Sequence, residues 1–273
     1  MLPERMQLTT RALRLRRRQL HRHLQQTLTG LISDAELDVH FTHMPERYWA
    51  RADEESVQRH LLVIRQFLRR LDAADSDGTT PYVAWRHLPD RDVTEVEVCS
   101  WDRLGLLAHV AGAFAAAELN IVRADIYTRV DNVVLDIFQV CDGDGHCVRD
   151  EAKLHLMDAL LTAALRPDAT ADALRAWEAN RPRRTKRRAP HARFETGHDD
   201  PYSVLVLEAD DRIGLLHDIF TVIAGYGVNV THAIITTENG RTGDVLYLTD
   251  KDGQKITAPA RLEYIRECVL QAL

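Results

Sequence analysis

At 273 residues the chain is long enough for two domains, since one domain takes roughly 100 to 200 residues. With 45% hydrophobic and 28% charged residues it can bury real cores, which excludes a disordered or collagen-like chain. The net charge of -6, from 35 basic and 41 acidic residues, conceals two basic blocks, Arg11 to His23 and Arg181 to Arg188.

The expected organisation is a helical region over 1–80, a first domain over 81–180, a basic linker over 181–190, and residues 191–273 holding the last strand of the first domain and then a second domain. The head is helical by pattern. Its clearest helix starts at Asp53, a good N-cap followed by Glu54 and Glu55, with Val57, Leu61, Ile64, Leu68 and Leu71 spaced 4, 3, 4, 3 along one face. The stretch Asp75 to Pro81 breaks it, and Tyr82 to His87 and Val93 to Trp101 have strand composition. The apolar run Leu104 to Ala117 is 14 residues, where a membrane span needs about 20. No membrane partner and a cytoplasmic location are expected, with no secretory leader. Cys99, Cys141, Cys147 and Cys268 contain no C-x-x-C pair and read as reduced thiols. The linker, with Pro182 and Pro190, reads as solvated rather than nucleic-acid binding, because no aromatic residues interleave its charges.

An internal repeat then fixes the architecture. Asp102-Arg-Leu-Gly-Leu-Leu107 recurs as Asp211-Arg-Ile-Gly-Leu-Leu216, an offset of 109. The register continues through Asn120-Ile121 with Asn229-Val230, Ala124 with Ala233, and Thr128 with Thr237. After one deletion the offset is 108, pairing Asp136 with Asp244 and Gly145 with Gly253. Each copy reads strand, loop, helix, strand, strand, helix, with middle hairpins closed at Asp131-Asn132 and Asn239-Gly240. The expected fold is α+β: two ferredoxin-like βαββαβ units, each an antiparallel sheet with helices on one face. His191 to Gly197 is expected to close the first copy. The second copy runs out of chain, so Tyr82 to His87 is expected to cross over and supply its missing edge.

These motifs resemble the ACT domain, a small regulatory module that binds amino acids. The tandem pair, with His40-Phe-Thr-His-Met-Pro-Glu-Arg-Tyr-Trp49 and the His60 helix before it, resembles the C-terminal part of the PII uridylyltransferase/uridylyl-removing enzymes of bacterial nitrogen control. Leu104 and Ile213 depart from the proline that family favours. The nucleotidyltransferase glycine-serine loop and the ordered His…His-Asp…Asp set of the hydrolase are not found in the sequence. His217-Asp218 reads as an exposed helix pair, and His40, His43 and His60 read as structural, so neither a metal nor a cofactor is expected.

A helix N-terminus offers free N–H groups and positive potential to an amino acid's carboxylate, and a nearby carboxylate or amide oxygen suits its ammonium. Gly105 and Gly214 allow close backbone approach, and Leu104, Leu106, Ile213 and Leu215 carry N–H groups at the helix starts. By the resemblance, Asp102, Asp211, Asn120 and Asn229 contact the ligand. Arg103 and Arg212 are expected in surface ion pairs. The resulting expectation is a regulatory chain that senses an amino acid, glutamine by the resemblance, and acts on a catalytic or PII-type protein partner. A truncated or split uridylyltransferase is the enzymatic alternative and a nucleic-acid regulator a third. Self-association and pairing of the two copies within one chain both fit the sequence.

Overall fold

The computed structural model describes residues 10–72, 80–166, 177–179, 188–195 and 201–273; apart from Arg188, the second basic block lies outside them. The head consists of α1 (Thr10–Thr27), α2 (Asp34–His43), α3 (Glu46–Arg51) and α4 (Glu54–Leu71). Ser33 and Glu36 form a reciprocal cap at α2, the Glu36 N–H donating to Ser33 Oγ (3.3 Å) and the Ser33 N–H to Glu36 Oε2 (2.8 Å). Asp53 caps α4 as expected, accepting from the Ser56 N–H at 2.9 Å. The α4 stripe is buried at Val57, Leu61 and Ile64, with Leu68 and Leu71 at its margin; His60, Val63 and Phe67 widen it.

The rest is one eight-stranded antiparallel sheet with helices on it. Its elements are β1 (Tyr82–Leu88), β2 (Val93–Trp101), α5 (Leu106–Ala116), β3 (Asn120–Thr128), β4 (Val133–Cys141), α6 (Glu151–Leu165), β5 (His191–Glu195), β6 (Ser203–Asp210), α7 (Leu215–Gly225), β7 (Val228–Glu238), β8 (Arg241–Asp250) and α8 (Pro259–Ala272). The strand order is β1-β2-β4-β3-β7-β8-β6-β5.

That order corrects the expected edge exchange. β1 stays in the first half, pairing with β2 from Tyr82↔Cys99 to Leu88↔Val93, and β5 belongs to the second half, pairing with β6. Each half therefore runs ββαββα, its outer strand supplied before the repeat rather than after it. The physical reason is connection length: β1 turns into β2 through Pro89–Asp92, with Asp92 at φ 52°, and so short a turn favours a hairpin over a crossover. The expected His191 to Gly197 strand ends at Glu195, and Gly197 lies outside the described residues.

The halves join where β3 meets β7, in the pairs Arg123↔Thr236, Ala124↔Ile235 and Asp125↔Ile234. One continuous core under α5 to α8 includes Phe114, Phe138, Leu161, Phe220, Leu246 and Ile265. The other face of the first half packs on the head, with Tyr48, Phe67, Tyr127, Leu135 and Ile137 in a second core. Covering both faces explains why β4 reads as apolar almost throughout, whereas a one-sided strand would alternate. No helix among the described residues is long and apolar enough to cross a membrane. The uncharged run 219–237, longer than that of Leu104 to Ala117, is divided between α7 and β7.

A buried polar chain ties head to sheet. His40 Nε2 lies 3.3 Å from the Tyr48 hydroxyl, which lies 2.9 Å from His60 Nδ1. His60 Nε2 is 3.4 Å from Glu97 on β2. Arg59 bonds Glu97 and, at 3.0 Å, Glu95, which also meets Arg86 at 2.9 Å. Burial holds the His40 imidazole well below its usual range, with the charges of His60, Arg129 and Arg17 adding to the effect. Among the described residues no group of three metal-ligating side chains forms. Tyr48→Phe should lower the stability of the chain by about 1–3 kcal/mol, because it strips a buried histidine of its partner; urea unfolding measures this.

Candidate functional site

The two Asp-Arg-x-Gly loops sit at the junction of the halves. Each is held by the hairpin of its own copy: the Asp102 N–H donates to Asn132 O (2.8 Å) and the Asp211 N–H to Gly240 O (3.0 Å). Asn132, Asn239 and Gly240 adopt positive φ to make these turns. The adjoining arginines do not both form ion pairs. Arg103 caps the C-terminus of α6, donating to Leu165 O at 2.8 Å. Arg212 bonds Asp218 at 2.6 Å and Ala272 O, at the end of α8, at 3.3 Å. Each repeat thus uses its arginine on the last carbonyls of its own second helix.

The predicted aspartates and asparagines meet crosswise. Asn120 of the first half donates to Asp211 Oδ2 of the second at 2.6 Å, and Asn229 of the second half bonds Asp102 of the first. Thr128 Oγ1 reaches Asp102 at 3.5 Å. Both carboxyls are pushed up from the ordinary range by burial, against the pull of their hydrogen bonds. Each site is therefore assembled from both copies.

The first site is a cavity of about 20 Å³, lined by Asp102, Gly105, Leu106, Leu107, Thr128 and Asp136 together with Phe220 and Asn229 of the second half. The second is about 10 Å³, lined by Asp211, Gly214, Leu215 and His217 with Asn120 and Ile121 of the first. These volumes are those of a water molecule. Gly105 and Gly214 hold φ of +83° and +80° at the N-caps of α5 and α7. The Leu106 and Leu215 N–H groups are already taken by Arg103 O and Arg212 O, each at 3.1 Å. The next N–H groups of each helix, at Leu107 and Ala108 and at Leu216 and His217, have no acceptor within the helix. Leu104, half exposed, and Ile213 are not among the lining residues.

Three features went unread in the sequence. Asp136 and Asp244 are fully buried beside Asp102 and Asp211. Burial raises both, Asp136 well above the carboxylate range and Asp244 to about 7, and the neighbouring aspartate adds to each shift. The available signal was a lone acid inside an apolar strand, repeated at the same register. The third is at the second site, where Trp177 stands against Gly214 and the rings of Trp177 and His217 meet edge to face at 6.0 Å. His217 is buried rather than exposed, within 2.9 Å of Ala108 O and 3.0 Å of Glu178.

Residues 203–261, covering most of the second half, match the ACT domain family. The chain carries an ACT domain. Along most of its length it is also similar to the C-terminal region of enzymes named bifunctional uridylyltransferase/uridylyl-removing enzyme. It is 30% identical to that of Gluconobacter oxydans over 252 residues, covering 90% of this chain and 26% of the relative. With that of Rhodospirillum rubrum the identity is 30% over 240 residues, 87% of this chain and 24% of the relative. With that of Azospirillum brasilense it is 30% over 269 residues, 91% of this chain and 27% of the relative. The chain spans about a quarter of the length of these curated relatives.

Two outcomes follow for the site. Gly105→Ala should cost about 1–2 kcal/mol for its left-handed backbone; Gly214→Ala, in the ACT domain, should lower Tm further, because the added Cβ overlaps the Trp177 ring. Asp244 gives a pH signature. Its carboxyl stays protonated in the fold up to about 7, against about 3.9 for a free aspartate. Wild-type stability therefore falls, relative to Asp244→Asn, as pH rises between those values, by up to about 1.4 kcal/mol per pH unit, and levels off above. Urea unfolding of both proteins from pH 4 to 8 reads this.

Proposed function

We propose that the chain is a regulatory module in which both halves are ACT-type units, and that an amino acid, glutamine by resemblance, binds where they join. The crosswise pairing of Asp102 with Asn229 and of Asp211 with Asn120 carries this reading. The free N–H groups at the start of α5 or α7 receive the carboxylate, and the neighbouring Asp and Asn fix its orientation.

The water-sized gaps supply the coupling. An amino acid needs several times that space, so its entry has to part α5 and β3 from α7 and β7. Binding then favours one arrangement of the halves over another, which is what transmission of occupancy requires. The head relays it. α4 lies against β1 and β2 of the first half, and Arg47 reaches the second half through Thr231 O at 2.6 Å. The two sites differ, since the first is clear of Trp177, so the first is the working one.

The relatives are named for uridylyl transfer and uridylyl removal. Their match to about a quarter of each enzyme supports a second reading, in which this chain regulates such catalysis carried by another chain or by a longer one, in the cytoplasm.

Calorimetric titration with glutamine and the other amino acids tests the proposal. Saturable binding is expected, lost in Asp102→Ala and retained within about threefold in Asp211→Ala, the threefold being under 1 kcal/mol. A folded chain that binds no amino acid would refute it.

A further inference from the structure

One carboxylate in the first cavity has no task in the fold. Asp136 sits in the middle of β4, opposite Val98 on β2 and Ile126 on β3, with its side chain on the helix-covered face. It is fully buried, and its Oδ1 accepts only the Tyr127 N–H, at 3.4 Å. Its Oδ2 has no hydrogen-bond partner. Both Asp136 and Asp102 line the same cavity. A buried carboxyl oxygen without a partner is expensive to keep, so a structural role does not account for it.

The cavity holds nothing that could neutralise the pair. Its other lining side chains are apolar, from α5, α7, β3, β4 and β7, or are the neutral Thr128 and Asn229. The nearest basic groups on those elements turn elsewhere. Arg103 goes to Leu165 O, His109 to Ala164 O, His217 to Ala108 O and Glu178, and Arg123 to Asp125, while His232 faces Ile126 O. Arg129 of the β3–β4 hairpin bonds Asp131 and His43 on the head side of the sheet. Two carboxyls that line one buried cavity resist ionising together, so without a ligand the pair keeps a proton. A protonated amine entering the cavity reverses that balance.

We propose that Asp136 is the acceptor for the ammonium of an α-amino acid in the first site, and that taking up this cation expels one proton from the Asp102–Asp136 pair. This rests on the amino-acid reading and adds to it the group that selects an amine over a compound with the same carboxylate and no charge on nitrogen. The ammonium donates to Asp136 Oδ2, the carboxyl O–H bond of the pair breaks, and its proton passes to water or buffer; no bond between heavy atoms forms or breaks. Because release occurs only where the empty pair is protonated, affinity rises with pH until the pair is ionised without a ligand.

The test is calorimetric titration at pH 6 and pH 8, each in two buffers of unlike ionisation heat. The probes are L-glutamine, or whichever of the twenty amino acids binds in the panel, and its desamino counterpart. Wild type should bind the amino acid with release of up to one proton at pH 6, and with release at pH 8 that is no greater. The desamino compound should bind at least tenfold more weakly and release none. Asp136→Asn, folded by circular dichroism, should lose at least tenfold in affinity together with the proton release. The wild-type proton count stands by itself should the variant not fold. Equal binding of the two compounds, or binding without proton release at pH 6, overturns this inference and leaves the amino-acid reading intact. Binding of no amino acid at all overturns both.

Discussion

The seam between β3 and β7 is the constraint on which the rest of the molecule depends. Three residue pairs join two four-stranded sheets edge to edge, which covers two strand edges that would otherwise expose unpaired backbone. It also brings α5 against α7, so that one core runs beneath both halves. The Asp102 and Asp211 loops fall at this seam because each begins the helix that packs against the other half's helix across it. A site built there cannot belong to one half alone.

The seam explains the electrostatics as well. The apolar sides of α5 and α7 remove Asp102, Asp136, Asp211 and Asp244 from water, which raises all four carboxyls. Amide and threonine groups offset part of that burial for the two loop aspartates. The strand aspartates are left with an unpaired oxygen each. The halves are not equivalent, however, because Trp177 lies against Gly214, whereas a Cβ at Gly105 would find only Ala224 at 3.8 Å.

On the opposite face the head is fastened by chemistry of another kind. An apolar core alone would let α4 slide along the sheet. The chain from His40 through Tyr48 and His60 to Glu97, with Arg59 and Arg86 on Glu95, sets both register and orientation, since a buried polar group out of register loses its partner. Arg47 carries the connection past the first half to Thr231 of the second. The head therefore touches both sides of the seam.

Much of this was legible in the sequence. The repeat, the element order within each copy, the two hairpins, the α4 stripe and the glycines of the loops follow from local pattern: turn residues, apolar periods and a constant offset; the roles of Asp102, Asp211, Asn120 and Asn229 came only from the family resemblance. What the pattern could not give was pairing between distant segments. Whether Tyr82–Leu88 or His191–Glu195 closes a given half depends on which edge is nearest once the hairpins form. The partner of Asp102 is Asn229 rather than the asparagine of its own repeat because its loop faces the end of α7 and the start of β7 across the seam. Asp136 looked like one more repeated polar position, and only the packing of helices over both halves made it a buried carboxyl without a partner. Sequence determined the repeated units and their local elements. The tertiary structure decided who meets whom, because contacts across a sheet edge arise from shape and burial between residues about a hundred positions apart, a distance that leaves no local signature.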